Sequence, residues 1–167
     1  MATAPVTRTR PRAADPAARR WWLLLWALRP ATAAGLAVDA WVHADLATRY
    51  DPNRAPGGLS QGDLFRVEAV VSVVAAVVLL LTPRLLAWLL AWLVAAPALA
   101  GLLLYRYHDP GAIGPLPDMF EPLWFPEKSL AGAAEAVALG TATVGLLLHG
   151  WLLAGVRPLR GRDGQRL

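Results

Sequence analysis

Asp39 and His43 stand four residues apart, and Glu68 and Glu135 stand alone in runs that are otherwise apolar. All four fall inside stretches long enough for lipid. A carboxylate facing hydrocarbon costs roughly 2.5 to 3.5 kcal/mol on insertion scales, so such groups turn into a bundle and meet partners, water or a cation. The four-residue spacing puts Asp39 and His43 one turn apart on one helix face. With Glu68 and Glu135 they make three carboxylates and an imidazole, the donor set of oxygen-rich metal sites in carboxylate bundles. The same groups would also suit a solvated proton or cation cavity. A third reading has them as interhelical contacts only, ion-paired with Arg49, Arg66, Arg106 or Lys128 or hydrogen-bonded between helices. Neither E-x-x-H nor H-x-x-x-H occurs, and His43, His108 and His149 fall at different predicted depths, which leaves no bis-imidazole haem pair.

The elements that position these groups follow from composition. The chain has 167 residues, 56% of them hydrophobic, which is too apolar for a soluble domain of this size and suits a few membrane spans joined by short loops. Cys is absent, which excludes disulfides, thiolate metal sites and dithiol redox centres. Every basic residue except Lys128 is Arg, a codon signature of high-GC bacteria.

Residues 1–20 are Pro, Ala and Arg with few large apolar side chains, and read as a disordered basic tail. Four spans are predicted, at about 21–47, 64–82, 85–105 and 128–156, within a single domain of residues 21–157, followed by a short tail at 158–167. Arg29-Pro30 interrupts the first span. It reads either as one long helix with Arg29 snorkelling to the headgroups or as an interfacial segment followed by a helix that starts at Pro30. Arg19-Arg20 with Ala31-Thr32-Ala33 downstream also resembles a cleaved signal sequence, but the apolar core before Arg29 is short and the chain stays apolar past the supposed cut. Ser60 with Asp63 three residues on is a capping box that opens the second span, and Pro83-Arg84 makes a tight turn into the third. Pro97 predicts a bend in that third span.

Charge orients the four spans. With both termini cytoplasmic, the inner side collects Arg8, Arg10, Arg12, Arg19, Arg20, Arg29, Arg84, Arg157, Arg160, Arg162 and Arg166 against Asp15 and Asp163. The basic pI thus reports membrane orientation and contact with bilayer lipid rather than nucleic-acid binding, since the Arg residues flank spans instead of forming a basic face. On the outer side, residues 106–127 carry five prolines together with Ile113, Met119, Phe120, Trp124 and Phe125. A loop this long is functional or disordered, and its apolar content predicts an ordered cap over the bundle mouth, with Asp118, Glu121 and Trp124 near the polar cluster. The alternative is that its aromatics anchor in the outer interface. Gly132, Ala136 and Gly140 form a small-residue stripe that predicts close helix packing inside the bundle, with dimerisation second. Trp88 and Trp92 read as core or lipid-facing aromatics.

The segments DAWVHADLATRYD, SQGDLFRVEA and GPLPDMFEPLWFPEK, in this four-span layout, resemble an uncharacterised family of small membrane proteins from high-GC bacteria. In architecture the chain is also similar to DoxX-type membrane proteins, without a shared motif. Neither resemblance implies an activity. No phosphate loop, activated nucleophile or cofactor motif is present. The expected fold is an all-α, polytopic four-helix bundle. The expected role is that of a non-enzymatic accessory or assembly protein of the cytoplasmic membrane with a polar pocket near the outer face, working with a membrane-protein partner or a second copy of itself. The alternatives are a small ion- or proton-coupled transporter and a metal-binding membrane oxidoreductase, either built on Asp39, His43, Glu68 and Glu135.

Overall fold

The computed structural model describes residues 16–155, with side chains from 19 to 151. Four helices run α1 (Pro16–Ala47), α2 (Gln61–Leu81), α3 (Leu85–Tyr107) and α4 (Pro126–Gly155), with a short 3-10 turn at Thr48–Tyr50. The described residues form no strand, only isolated bridges at Arg54↔Ser60 and Ile113↔Leu116. Each helix is long and apolar enough to cross a membrane, which is the pattern of a multi-pass membrane protein.

Local chemistry explains the boundaries. Ser60 Oγ accepts from the Asp63 N–H at 2.9 Å and Asp63 Oδ2 accepts from the Ser60 N–H at 3.0 Å, so the reciprocal cap fixes the start of α2. Pro83 ends α2, and the three-residue link to α3 makes these helices an antiparallel hairpin. Pro30 and Pro97 both lie inside continuous helices. The first helix begins at Pro16 rather than Trp21, so residues 16–20 are helical and the expected structureless tail is shorter; residues 1–15 and 156–167 lie outside the described residues.

The helices pack in a ring in chain order. α1 lies against α2 and α4, α3 lies against both of these, and α1 and α3 scarcely touch. The buried seam is built largely of alanine, including Ala33, Ala75, Ala87, Ala91, Ala138 and Ala142. Exposed valine and leucine cover the outside, among them Val67, Val70, Val73, Leu81, Leu86, Leu93, Val137 and Leu147. Small residues inside and branched aliphatics outside are what close helix packing in lipid requires. Gly35 shows how close: a Cβ there would stand 2.8 Å from the Ala134 carbonyl oxygen and 3.1 Å from Ala138 Cβ. The stripe at 132, 136 and 140 does not do this work, because Ala136 and Gly140 are exposed and Gly140 has open space where a Cβ would go. Trp88 is a core residue, fully buried, while Trp92 is half-buried and its Nε1–H donates to Thr143 Oγ1 at 3.2 Å.

Arg29 is buried, donates to the Thr82 carbonyl in the α2–α3 turn at 3.0 Å and lies over the Trp26 ring, and the Arg84 N–H donates to the same carbonyl at 2.9 Å.

Two further glycines give a test of this packing. A Cβ at Gly62 would collide with the Ala47 carbonyl and Asp51, whereas one at Gly101 would meet nothing. Gly62→Ala is therefore expected to lower stability by about 1–3 kcal/mol as the 47–51 turn is forced away. Gly101→Ala should raise it by up to about 1 kcal/mol through helix propensity alone. Thermal unfolding in mild detergent checks both signs.

Candidate functional site

The connections at 48–60 and 108–125 lie at the same end of the bundle, opposite the α2–α3 turn. Counting 1.5 Å per residue from that long-loop end, Asp39, Glu68 and Glu135 lie about 12, 10 and 13 Å down α1, α2 and α4. Equal depth on three helices brings the groups together only if rotation agrees, and it does. Donor atoms of Asp39, His43 and Glu135 all lie within 4.8 Å of one another. His43 Nδ1 is 2.9 Å from Asp39 Oδ1 and 3.0 Å from the Asp39 carbonyl oxygen. The imidazole packs edge-on against Phe65 at 5.0 Å.

Glu68 joins the cluster through a residue that spacing alone did not single out. Ser72 Oγ donates to Asp39 Oδ2 at 2.7 Å and lies 3.2 Å from Glu68 Oε1. Ser72 is the only hydroxyl in α2 and sits one turn beyond Glu68, so its helical face was readable. Its bond fixes one oxygen of Asp39 and leaves the other toward His43.

Glu135 departs furthest from the rule that buried polar groups are satisfied, since Asp39 Oδ1 and Arg106 Nε are also unpartnered but Glu135 has no partner on either oxygen. It is 1% exposed, and neither of its carboxyl oxygens has a hydrogen-bond partner. No Lys or Arg ion pair reaches Asp39, Glu68 or Glu135 among the described residues, because the nearby bases are committed elsewhere. Arg66 grips Asp51 through two 2.7 Å bonds and lies 3.4 Å from Asp63, Arg54 pairs with Asp63 at 3.0 Å, and Arg49 pairs with Glu127 at 3.7 Å. Arg106 lies over the rings of Tyr107 and Trp124, and the Lys128 ammonium donates to the Glu121 carbonyl oxygen. Arg66 holds the Asp51 carboxyl below the ordinary carboxylate range, so that pair weakens only in acid, as Asp51 takes a proton.

A cavity of about 260 Å³ opens beside the cluster. His43, Glu68 and Glu135 line it, while Asp39 stands behind them. Tyr50, Phe65, Tyr105 and Phe125 give it aromatic walls, and Pro97, Ala98 and Gly101 keep the α3 side shallow. Glu121 and Met119 from the 108–125 segment also line it. That segment is tied down by backbone: the Leu59 N–H donates to the Pro115 carbonyl at 3.0 Å, the Glu121 N–H to the Tyr105 carbonyl at 3.0 Å, and Asn53 Nδ2 to the Asp118 carbonyl at 2.7 Å. Of Asp118, Glu121 and Trp124, only Glu121 lines the cavity. Asp118 turns back to accept from the Phe120 N–H at 2.9 Å, and Trp124 is exposed, stacked beside Arg106 and Lys128.

Toward the opposite end no further acid joins them among the described residues. Leu36, Leu79, Trp88, Ala138 and Ala142 are all at most 1% exposed and pack as an apolar core, with Thr32, Arg29 and His149 as the buried polar groups of that half. The next polar pair, Thr32 and Thr141, lies beyond Leu36 and Ala138 along α1 and α4, with the two hydroxyls bonded to each other at 2.7 Å.

Comparison of the chain with protein-family models, curated proteins and solved structures finds no match.

Proposed function

We propose that the chain is a multi-pass protein of the cytoplasmic membrane, with both termini on the cytoplasmic side, that acts without catalysis as an accessory or assembly protein and holds a ligand in a pocket at its outer face. The observation that carries this reading is the one-sidedness of the polar cluster. Conduction needs a continuous polar or watered path, and the buried acids end with Asp39 and Glu135, beyond which Leu36, Leu79, Trp88 and Ala138 fill much of the core. The Arg bias of both tails and of Arg84 supports the orientation, which puts the 108–125 segment outside as a cap over the pocket. Against catalysis stands the lack of any nucleophile paired with a base at the cavity wall. The protein it assists is another membrane protein or a second copy of this chain.

The experiment is a flux measurement in sealed proteoliposomes carrying a pH-sensitive or divalent-sensitive dye. The expected result is proton and divalent-cation leak no greater than that of protein-free vesicles. Flux that Glu135→Gln abolishes would sink the accessory reading and put an ion-coupled transporter in its place.

A further inference from the structure

We propose that Asp39, His43 and Glu135 bind one divalent first-row transition-metal ion in the wall of the pocket. The inference rests on the pocket reading above and names its ligand. Three independent observations meet here.

The first is the orphaned acid. A carboxylate removed from water without a hydrogen bond or counter-charge is among the most costly groups a fold can hold. Both oxygens of Glu135 are in that position, buried and facing two further donors within 4.8 Å. A bound cation supplies the missing partner.

The second is charge. Asp39 and Glu135 as carboxylates with a neutral imidazole match the charge of a divalent ion, with Glu68 as a further acid and Lys128 as a cation in the same cavity wall. Arg49, Arg54 and Arg66 are paired with other acids and Arg106 stacks on aromatic rings.

The third is geometry and donor chemistry. His43 Nδ1 stands 2.9 Å from Asp39 Oδ1, and donor atoms of Asp39, His43 and Glu135 lie within 4.8 Å of one another, close enough for one ion to take the place of the proton between imidazole and carboxylate. An imidazole nitrogen among the donors selects manganese, iron or zinc over magnesium and calcium, which prefer oxygen alone. Ser72, donating to Asp39 Oδ2 at 2.7 Å, holds the carboxylate in place as outer-shell partners of metal ligands do. Because His43 and Glu135 also line the cavity, an ion enters from the open side and keeps coordination positions facing it, with Glu68 adjacent.

The test is binding of Mn²⁺, and separately Zn²⁺, to the full chain purified in mild detergent and stripped with chelator. Bound metal is read by elemental analysis after desalting, and for Mn²⁺ by loss of the free-ion EPR signal. The expected result is close to one ion per chain for at least one of the two metals. Glu135→Gln should reduce occupancy to below about a tenth under the same conditions, and Ser72→Ala should weaken affinity roughly 10–100-fold. Melting curves in metal-free buffer establish that each variant is folded. No stoichiometric binding of either metal by the wild type overturns the proposal, as does wild-type affinity in folded Glu135→Gln. The flux experiment separates this outcome from the fate of the accessory reading. Metal binding with flux keeps the site and removes the accessory role, whereas neither binding nor flux removes the site and keeps the role.

Discussion

Gly145→Val is expected to unseat α3 from α4 and to be among the most damaging single substitutions in the apolar half of the bundle. A Cβ built at Gly145 collides with the six-membered ring of Trp88, at Cδ2, Cε3 and Cζ3. Trp88 has no room to yield, since it is fully buried and belongs to the same packed layer as Leu36, Leu79 and Ala142. Overpacking of such a site costs about 1–3 kcal/mol and sometimes more, and a branched side chain lies at the upper end. Trp88→Ala should cost about 3–5 kcal/mol, because the emptied volume lies between rigid helices that collapse only in part. The double variant is the informative one. With the ring gone, the valine fills part of its space, so the combined loss should fall short of the sum by about 0.5–3 kcal/mol. Unfolding in detergent measures all three. Strict additivity would mean that Gly145 and Trp88 do not share the contact.

The span positions and the depth of the polar groups were legible because both depend on counting residues along one helix. Leu64 to Thr82 is a bilayer's worth of chain between a capping box and a proline, and no tertiary information is needed to read it. Helix rotation is different. Alanines occur on every face of α4, so Gly132, Ala136 and Gly140 look as good a packing stripe as Ala131, Ala134, Ala138 and Ala142, and only the folded chain shows that the second set is the buried one. The convergence of Asp39, His43 and Glu135 belongs to the same class of fact. Depth allowed it, and only rotation decided it.

Arg29 and residues 16–20 illustrate two other limits. Snorkelling is read from one span alone, whereas the Thr82 carbonyl that Arg29 reaches comes from the α2–α3 turn, some fifty residues away. Residues 16–20 were judged by what they could bury. Once α1 is anchored by its apolar length, extending it by Ala and Arg needs no burial, since propagation is far cheaper than nucleation and both residues are good helix formers. The expected pairing of the acids with Arg49, Arg66, Arg106 or Lys128 failed for a related reason. Asp51, Asp63, Glu127 and the Glu121 carbonyl compete for those bases at the bundle end, where charges keep part of their hydration.

Opposite changes in stability are expected from removing two acids that lie side by side. Asp39 accepts from Ser72 at 2.7 Å and lies 2.9 Å from the His43 imidazole, so Asp39→Leu strands a buried hydroxyl and removes the acid beside the imidazole and should cost about 3–5 kcal/mol. Glu135 has none, so Glu135→Leu breaks no bond, keeps roughly the same volume and relieves a desolvated carboxyl. It should stabilise the protein by about 1–3 kcal/mol in chelator-treated detergent, where no ion offsets the cost in the wild type. A group held at the expense of stability is what a binding site requires and packing does not. Metal should then reverse the ranking: at an ion concentration 100 times the dissociation constant the wild type gains about 2.7 kcal/mol, while Glu135→Leu gains nothing. Paired melting curves with and without Mn²⁺ or Zn²⁺ measure this directly. If both leucine variants lose stability to a similar extent and metal changes neither wild type nor variant, Glu135 is an ordinary structural acid whose partners form in the membrane, and the cluster serves packing alone.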